Sequence, residues 1–355
     1  MAADKTWLPA AVRSWVGARL SGPPRGPVVR RRRAAIFLVA RLGDFVLGAS
    51  AVRLLLEAWG EENCVLVVAD ATAALAAEEF PRTPRITLPL QAPSLTRDLM
   101  GAWWRHQRKF RGLAVVETVC LSHQRDLYKE VALSWIAMER HHRLDRATYP
   151  QVPEPPLCLE LEAHRRLVGA ALGRNVSPAE ILPRFTSVTP AAGDYLLVCP
   201  TTSEAVRCLP APLLVEALRR WRSRSRARLV LSSGPAETTQ LQAYAAAIEA
   251  AGLGPCERVQ PADLPALLRL IAGAGAILAA ESAPAHIATA LDKPVCVVTG
   301  GGSYGLCGPW RRSDRQVAVS HRTPCYFCGW RCTQPEVFCL TRIAPDDIAA
   351  ALPAL

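Results

Sequence analysis

Apolar runs of strand length alternate with runs of helical period, and this alternation passes along the chain twice. AAIFLVA (34–40), CVLVVAD (64–70), RITLPL (85–90) and LAVVETVCL (113–121) read as strands, with Asp44–Trp59 and residues 159–173 as helices. The Pro-bearing stretch ILPRFTSVTPAAGD (181–194) reads as a linker. The pattern resumes with strands YLLVCP (195–200), ARLVLSS (227–233), GAILAA (275–280) and VCVVTG (295–300). Leu213–Arg222, Thr238–Ala251, Leu264–Ala272, His286–Leu291 and Pro345–Leu355 supply the helices of this half. Continuously apolar strands need cover on both faces, which a parallel α/β sheet flanked by helices provides. Two such sheets would face each other across a cleft at their carboxyl ends, where ligands of such folds bind.

The expected organisation is a basic extension (1–33), a first α/β domain (34–180), the linker (181–194) and a second α/β domain (195–355). With 355 residues, half of them hydrophobic, each domain can bury its own core. The extension ends in Arg30–Arg33, and Trp7, Leu8, Val12, Trp15, Val16 and Leu20 line one face of a short helix. One reading is a helix packed on the domain followed by a solvated basic turn. The other is a clamp for an anionic acceptor or a membrane surface. The net charge of +11 comes from 38 arginines and only four lysines. Arginine suits bidentate phosphate contacts, and no nucleic-acid partner is expected. No run approaches the ~18 apolar residues of a membrane span, and the N-terminus lacks a secretory pattern. Twelve cysteines without an export signal point to reduced thiols, metal ligation or core packing, hence to the cytoplasm.

Three segments carry candidate chemistry. In RLGDFVLGAS (41–50), Gly43 permits a tight turn after a strand and Asp44 stands at a helix start. Asp44 is either an N-cap or a carboxylate presented to the cleft as a base. In CPTTSEAVRCLP (199–210), Thr201, Thr202 and Arg207 follow a strand and could hold a pyrophosphate; the alternative is an ordinary polar loop. In ILAAESAPAHIATALDKPVCVVTGG (277–301), Glu281 ends a strand, Ser282 and His286 lie in the helix that follows, and Gly300 and Gly301 permit close backbone approach. The helix start favours an anion, whereas Glu281 suits ribose hydroxyls. Ser122, His123 and Arg125, just past another strand, are candidate acceptor contacts or a plain polar loop.

The order Gly-Asp, Thr-Thr…Arg-x-x-Pro, Glu-Ser-x-Pro-x-His and Asp-Lys-Pro-Val resembles glycosyltransferase family 9, the heptosyltransferase-like enzymes. The likeness runs from about Ile36 to the C-terminus and includes SSGPAETTQ (232–240) and LCGPW (306–310). It implies a GT-B fold of two Rossmann-like domains, Asp44 as general base, and Arg207, Glu281, Ser282 and His286 as donor contacts. It also implies an ADP-heptose donor. Departures from the family pattern are Arg207 for Lys, Leu209 for Trp, Ser50 for Pro, Glu281 for Asp or Asn, Ala283 for Gly, and GGGS in place of a GPT loop.

Cys325, Cys328, Cys332 and Cys339 fall within fifteen residues, enough to wrap one tetrahedral zinc or iron; free or redox thiols are the alternative. The segment also resembles the cysteine-rich C-terminal part of autotransporter heptosyltransferases. A fully ligated metal would be structural, and no paired carboxylates at a strand end suggest a catalytic Mg²⁺. The expectation is an inverting, metal-independent transferase whose acceptor is open: lipopolysaccharide core, a protein or a small molecule, with room for a homo-oligomer. A nucleotide-sugar epimerase or hydrolase would consume donor without acceptor. A non-catalytic nucleotide-binding scaffold would show no turnover.

Overall fold

A computed structural model describes residues 30–90, 98–111, 113–122, 127–144 and 157–355. The first half contains β1 (Arg30–Leu38), α1 (Leu42–Trp59), β2 (Cys64–Ala69), α2 (Ala73–Glu79), β3 (Arg85–Leu88), α3 (Asp98–Lys109), β4 (Leu113–Cys120), α4 (Leu127–Ser134), β5 (Ala137–Arg143), α5 (Leu159–Leu172) and α6 (Pro178–Ile181). The second contains β6 (Tyr195–Cys199), α7 (Ala211–Arg222), β7 (Arg228–Ser232), α8 (Thr238–Ala250), β8 (Cys256–Val259), α9 (Leu264–Ala272), β9 (Ala276–Ala280) and α10 (Ala283–Ala290). It closes with β10 (Val295–Val298), β11 (Gln316–Val319), α11 (Phe338–Thr341) and α12 (Pro345–Ala351). Among the described residues no helix is long and apolar enough to cross a membrane.

The strands form two parallel sheets, ordered β3-β2-β1-β4-β5 and β11-β10-β9-β6-β7-β8. Chain direction across each sheet reverses once, between β1 and β4 in the first and between β6 and β9 in the second. Ligands of open α/β sheets bind at such reversal points. The segments following β1, β6 and β9 carry Asp44, Arg207 and Glu281–His286, so the topology brings the sequence candidates to the two reversals.

Helix α1 is apolar nearly all round and buries residues from Phe45 to Leu56 on several faces, as a helix between two layers must. It packs on α5 in its own half and on α10 of the other. One core cluster therefore continues from Ile36 and Leu47 to Ile287 and Trp310. The second half reaches back through its 305–306 loop. The amides of Leu159 and Glu160, orphan donors at the start of α5, bond Gly305 O (2.8 Å) and Leu306 O (3.0 Å).

The stretch read as a linker is irregular from 182 to 194, yet it is held along its length. Ser50 Oγ donates to Leu182 O at 2.9 Å, which gives the serine standing in place of the family's proline a structural task. Buried Glu79 accepts from the amides of Thr186 (2.9 Å) and Ser187 (3.0 Å) while pairing with Arg53. Lys293 Nζ reaches Ala191 O.

The reading of Arg30–Arg33 as a solvated turn is corrected: these residues open the central strand β1, with Arg30 opposite Leu113 and Arg32 opposite Val115. Arg33 fits there because its guanidinium pairs with buried Glu117 at 2.8 Å and lies 5.3 Å from the Trp59 ring centroid. Residues 1–29, with the proposed amphipathic helix, lie outside the described residues. The last helix stops at Ala351 rather than Leu355, and α10 begins at Ala283, ahead of His286.

Candidate active site

Asp44 is not an N-cap. The cap position belongs to Arg41, which makes no side-chain cap, and Asp44 lies in the first turn of α1. A carboxylate there still benefits from the helix dipole. Its side chain borders a cleft of about 760 Å³ together with Thr201, Thr202, Ser203, Arg207, Glu281, Ser282 and His286. The SGPAE turn after β7 contributes Ser232–Pro235 and Glu237, and Asp263 and Leu264 open α9 on the same wall. One cleft thus gathers the carboxylate of the first half and the polar segments of the second.

Contacts across the gap are close. A Cβ on Gly43 would stand 3.3 Å from His286 Cδ2 and 3.8 Å from Nε2. Burial, and next the Asp44 carboxylate, raise the Cys307 thiol well above its ordinary value, and both residues line the cleft.

Arg207 is the half-buried cation of the cleft wall, where exposed Arg41 also stands. Its Nε is buried without a hydrogen-bond partner, and its charge reaches both Glu281 and His286. Burial raises the Glu281 pKa, opposed by the Thr299 hydroxyl, Arg207 and Ser303. The Thr299 Oγ1 to Glu281 Oε2 bond is 2.7 Å. Burial, reinforced by Arg207, lowers His286 to about 4. The imidazole is therefore neutral at physiological pH, and its Nδ1 accepts from Trp310 Nε1 at 3.1 Å.

The polar loops contribute unequally. Thr202 Oγ1 donates to Glu204 O (2.7 Å) and its amide points at Cys208 Sγ (3.4 Å), so Thr202 builds the turn and leaves Thr201 as the freer hydroxyl. At α10, Pro284 has no N–H, and the amides of Ala285 and His286 both return to Ser282 O. That helix start offers fewer donors than its position suggests.

Two groups of sequence candidates stand away from the cleft lining. Gly300 and Gly301 do not line the cleft. A Cβ on Gly300 would meet Trp330 at 2.6 Å, and one on Gly301 would meet Tyr326 at 2.2 Å. These glycines exist to let the cysteine-rich segment lie flat on the loop, with Phe327 N on Gly301 O (2.7 Å) and Gly329 N on Gly302 O (2.9 Å). Ser122 is also absent from the cleft wall; its hydroxyl donates to Val39 O at 3.1 Å and ties the ends of β1 and β4 together. His123 and Arg125 lie outside the described residues.

Cys325, Cys328, Cys332 and Cys339 line a single void of about 10 Å³, the scale of one small sphere. Among the described residues, no three or more His, Cys, Asp or Glu side chains are set to hold a metal ion. Trp330 lines both this void and the cleft, and its Nε1 donates to Ser303 Oγ at 3.0 Å. Cys307 and Trp330 line the cleft and Trp310 bonds His286 from outside its lining; motif reading missed all three. The signal for Trp310 was its place beside the Gly-Pro pair of LCGPW. A second cavity of about 740 Å³ also borders Glu281 and His286 and is walled by Trp310, Val297 and Val317.

Comparison with solved structures places this architecture. Escherichia coli heptosyltransferase WaaC with ADP is 17% identical, with a TM-score of 0.63 over 81% of this chain and 92% of that one. A family 9 glycosyl transferase from Veillonella parvula is 12% identical, with a TM-score of 0.68 over 93% and 98%. The iron-containing dodecameric glycosyltransferase TibC of E. coli is 14% identical, with a TM-score of 0.54 over 92% and 76%. At these identities the likeness is one of fold, the two-domain GT-B architecture. No curated protein matches the sequence. The model of glycosyltransferase family 9 (heptosyltransferase) matches residues 117–331, more than half of the chain, and the protein belongs to that family.

Proposed function

We propose that this glycosyltransferase moves a heptose from ADP-heptose to an acceptor hydroxyl in one inverting displacement, with no catalytic metal. The observation that carries the reading is the convergence of Asp44, from one sheet reversal, with Arg207, Glu281 and His286, from the other, on a single cleft. Asp44 takes the proton of the acceptor hydroxyl as that oxygen bonds the anomeric carbon. The bond from that carbon to the diphosphate breaks, and ADP leaves with the electron pair. Charge grows on the leaving phosphate, and Arg207, Thr201 and the neutral His286 are the groups suited to meet it. Glu281, buried and held by Thr299, suits a ribose hydroxyl better than a phosphate. The choice of ADP-heptose draws support from fold relatives solved with ADP-2-deoxy-2-fluoro heptose and with ADP-D-beta-D-heptose.

The four-cysteine segment is proposed to hold one structural zinc or iron. Its four cysteines border one small void, and binding would have to draw their sulfurs together from the arrangement seen here into a closed tetrahedral site, bracing Trp330 against the cleft. The twelve uncrosslinked cysteines suit a reducing compartment, and we assign the protein to the cytoplasm. A thermal-shift panel of nucleoside diphosphates tests the donor. ADP at ~100 times its Kd should add about 2.7 kcal/mol of stability, and UDP should add little. Equal stabilisation by both, or by neither, contradicts the assignment.

A further inference from the structure

We propose that Trp310 fixes His286 in the neutral tautomer that carries its proton on Nε2, so that the cleft meets a hydrogen-bond donor at that edge of the ring. An indole N–H can only donate, and Trp310 Nε1 lies 3.1 Å from His286 Nδ1. Nδ1 must then present its lone pair, which leaves the single proton of a neutral ring on Nε2. A doubly protonated ring would set two N–H groups against each other and lose the bond.

The ring is held in place as well. Trp310 and His286 lie side by side with nearly parallel planes, inclined by 8° and with centroids 6.3 Å apart, as an in-plane N–H to lone-pair bond requires. Both side chains are buried, Trp310 at 6% and His286 at 9% exposure. The Cδ2–Nε2 edge faces Gly43 across the gap. Of the charged groups around the ring, Arg207 is on the loop after β6, Glu281 follows β9, and Asp44 follows Gly43 on α1. A second full cation beside Arg207 would be repelled, and burial adds to that cost. A neutral donor avoids both penalties while still offering an N–H to a phosphate or acceptor oxygen. Trp310 is thus a positioning residue acting through His286. This goes beyond the proposed function and rests on it only where transfer is measured.

The test uses the full chain labelled with ¹⁵N-histidine, with His286 assigned by difference from His286→Gln. The wild type should show the Nε2–H tautomer. Trp310→Phe keeps an aromatic ring beside His286 but removes the donor, and should release a mixture of tautomers. Transfer should fall roughly tenfold, the worth of one neutral hydrogen bond. Glutamine at 286 offers a terminal N–H in place of Nε2–H and needs no help from Trp310, so in that background Trp310→Phe should cost less than about twofold. Three results would each overturn the proposal: an Nδ1–H signal in the wild type, an unchanged tautomer in Trp310→Phe, or an equal loss of transfer in both backgrounds. The wild-type spectrum decides the matter even if Trp310→Phe does not fold. Because the spectrum needs no nucleotide, an Nε2–H signal without ADP binding would support the tautomer while removing the donor assignment.

Discussion

Gly43 abuts the His286 imidazole: a methyl group on that glycine would stand 3.3 Å from Cδ2. The ring cannot retreat freely, because Trp310 holds it through Nδ1. Gly43→Ala should therefore move His286 or the Asp44 turn by a few tenths of an ångström. Transfer should drop roughly threefold to tenfold, since small misplacements are expensive in catalysis, while the melting temperature changes little. A large fall in stability with no kinetic effect would show that the contact belongs to the core and not to the chemistry.

Arg207 has a buried Nε without a partner, and a charge-assisted contact is worth about 1.5–3 kcal/mol. Arg207→Ala should weaken ADP binding roughly tenfold to a hundredfold, and Arg207→Lys should weaken it less. Calorimetric titration with ADP reads both. Affinity unchanged in Arg207→Ala would remove the arginine from the phosphate site.

His286 makes stability depend on pH with a definite sign. Its folded pKa, lowered to about 4 by burial and Arg207, lies below the ordinary histidine value. The unfolded chain therefore binds the extra proton first. Stability is full above pH ~6.5 and declines as pH falls toward 4, by up to about 1.4 kcal/mol per unit from this group. Glu281, whose pKa is raised by burial, acts in the opposite sense, so the comparison must be made against His286→Gln. Urea unfolding from pH 7 to 5 should show a steeper loss in the wild type. Parallel curves would mean that the histidine titrates normally in the folded protein.

The cysteine segment predicts a metal content. Protein purified without chelators should contain about one zinc or iron per chain. Cys328→Ser with Cys339→Ser should abolish it and lower the melting temperature. Metal-free protein with four titratable thiols in this segment would leave these residues as packing.

Much of this was legible in the sequence because buried parallel strands are continuous apolar runs. The strands left unread, β5, β8 and β11, are sheet edges. AMERHHR and CERV are polar because an edge strand meets solvent, so their composition mimics loops. The arginines of β1 misled for the opposite reason: the partner of Arg33, Glu117, lies 84 residues away, beyond any local pattern. Its isolated charge within LAVVETVC was the available hint. At the site, Asp44, Arg207 and His286 were findable because each follows a strand end. Gly300 and Gly301 looked like a ligand loop, since a glycine that makes room for Trp330 is indistinguishable in sequence from one that makes room for phosphate.

The central claim is that a carboxylate from one half acts on a sugar held by the other. Asp44→Asn tests it most directly, with ADP-heptose transfer and ADP binding measured on the same preparation. Removing a general base should cut turnover by about 10²–10⁴-fold while ADP affinity stays within about twofold of the wild type. Turnover within a few-fold of the wild type, or a parallel collapse of ADP binding, would contradict the account.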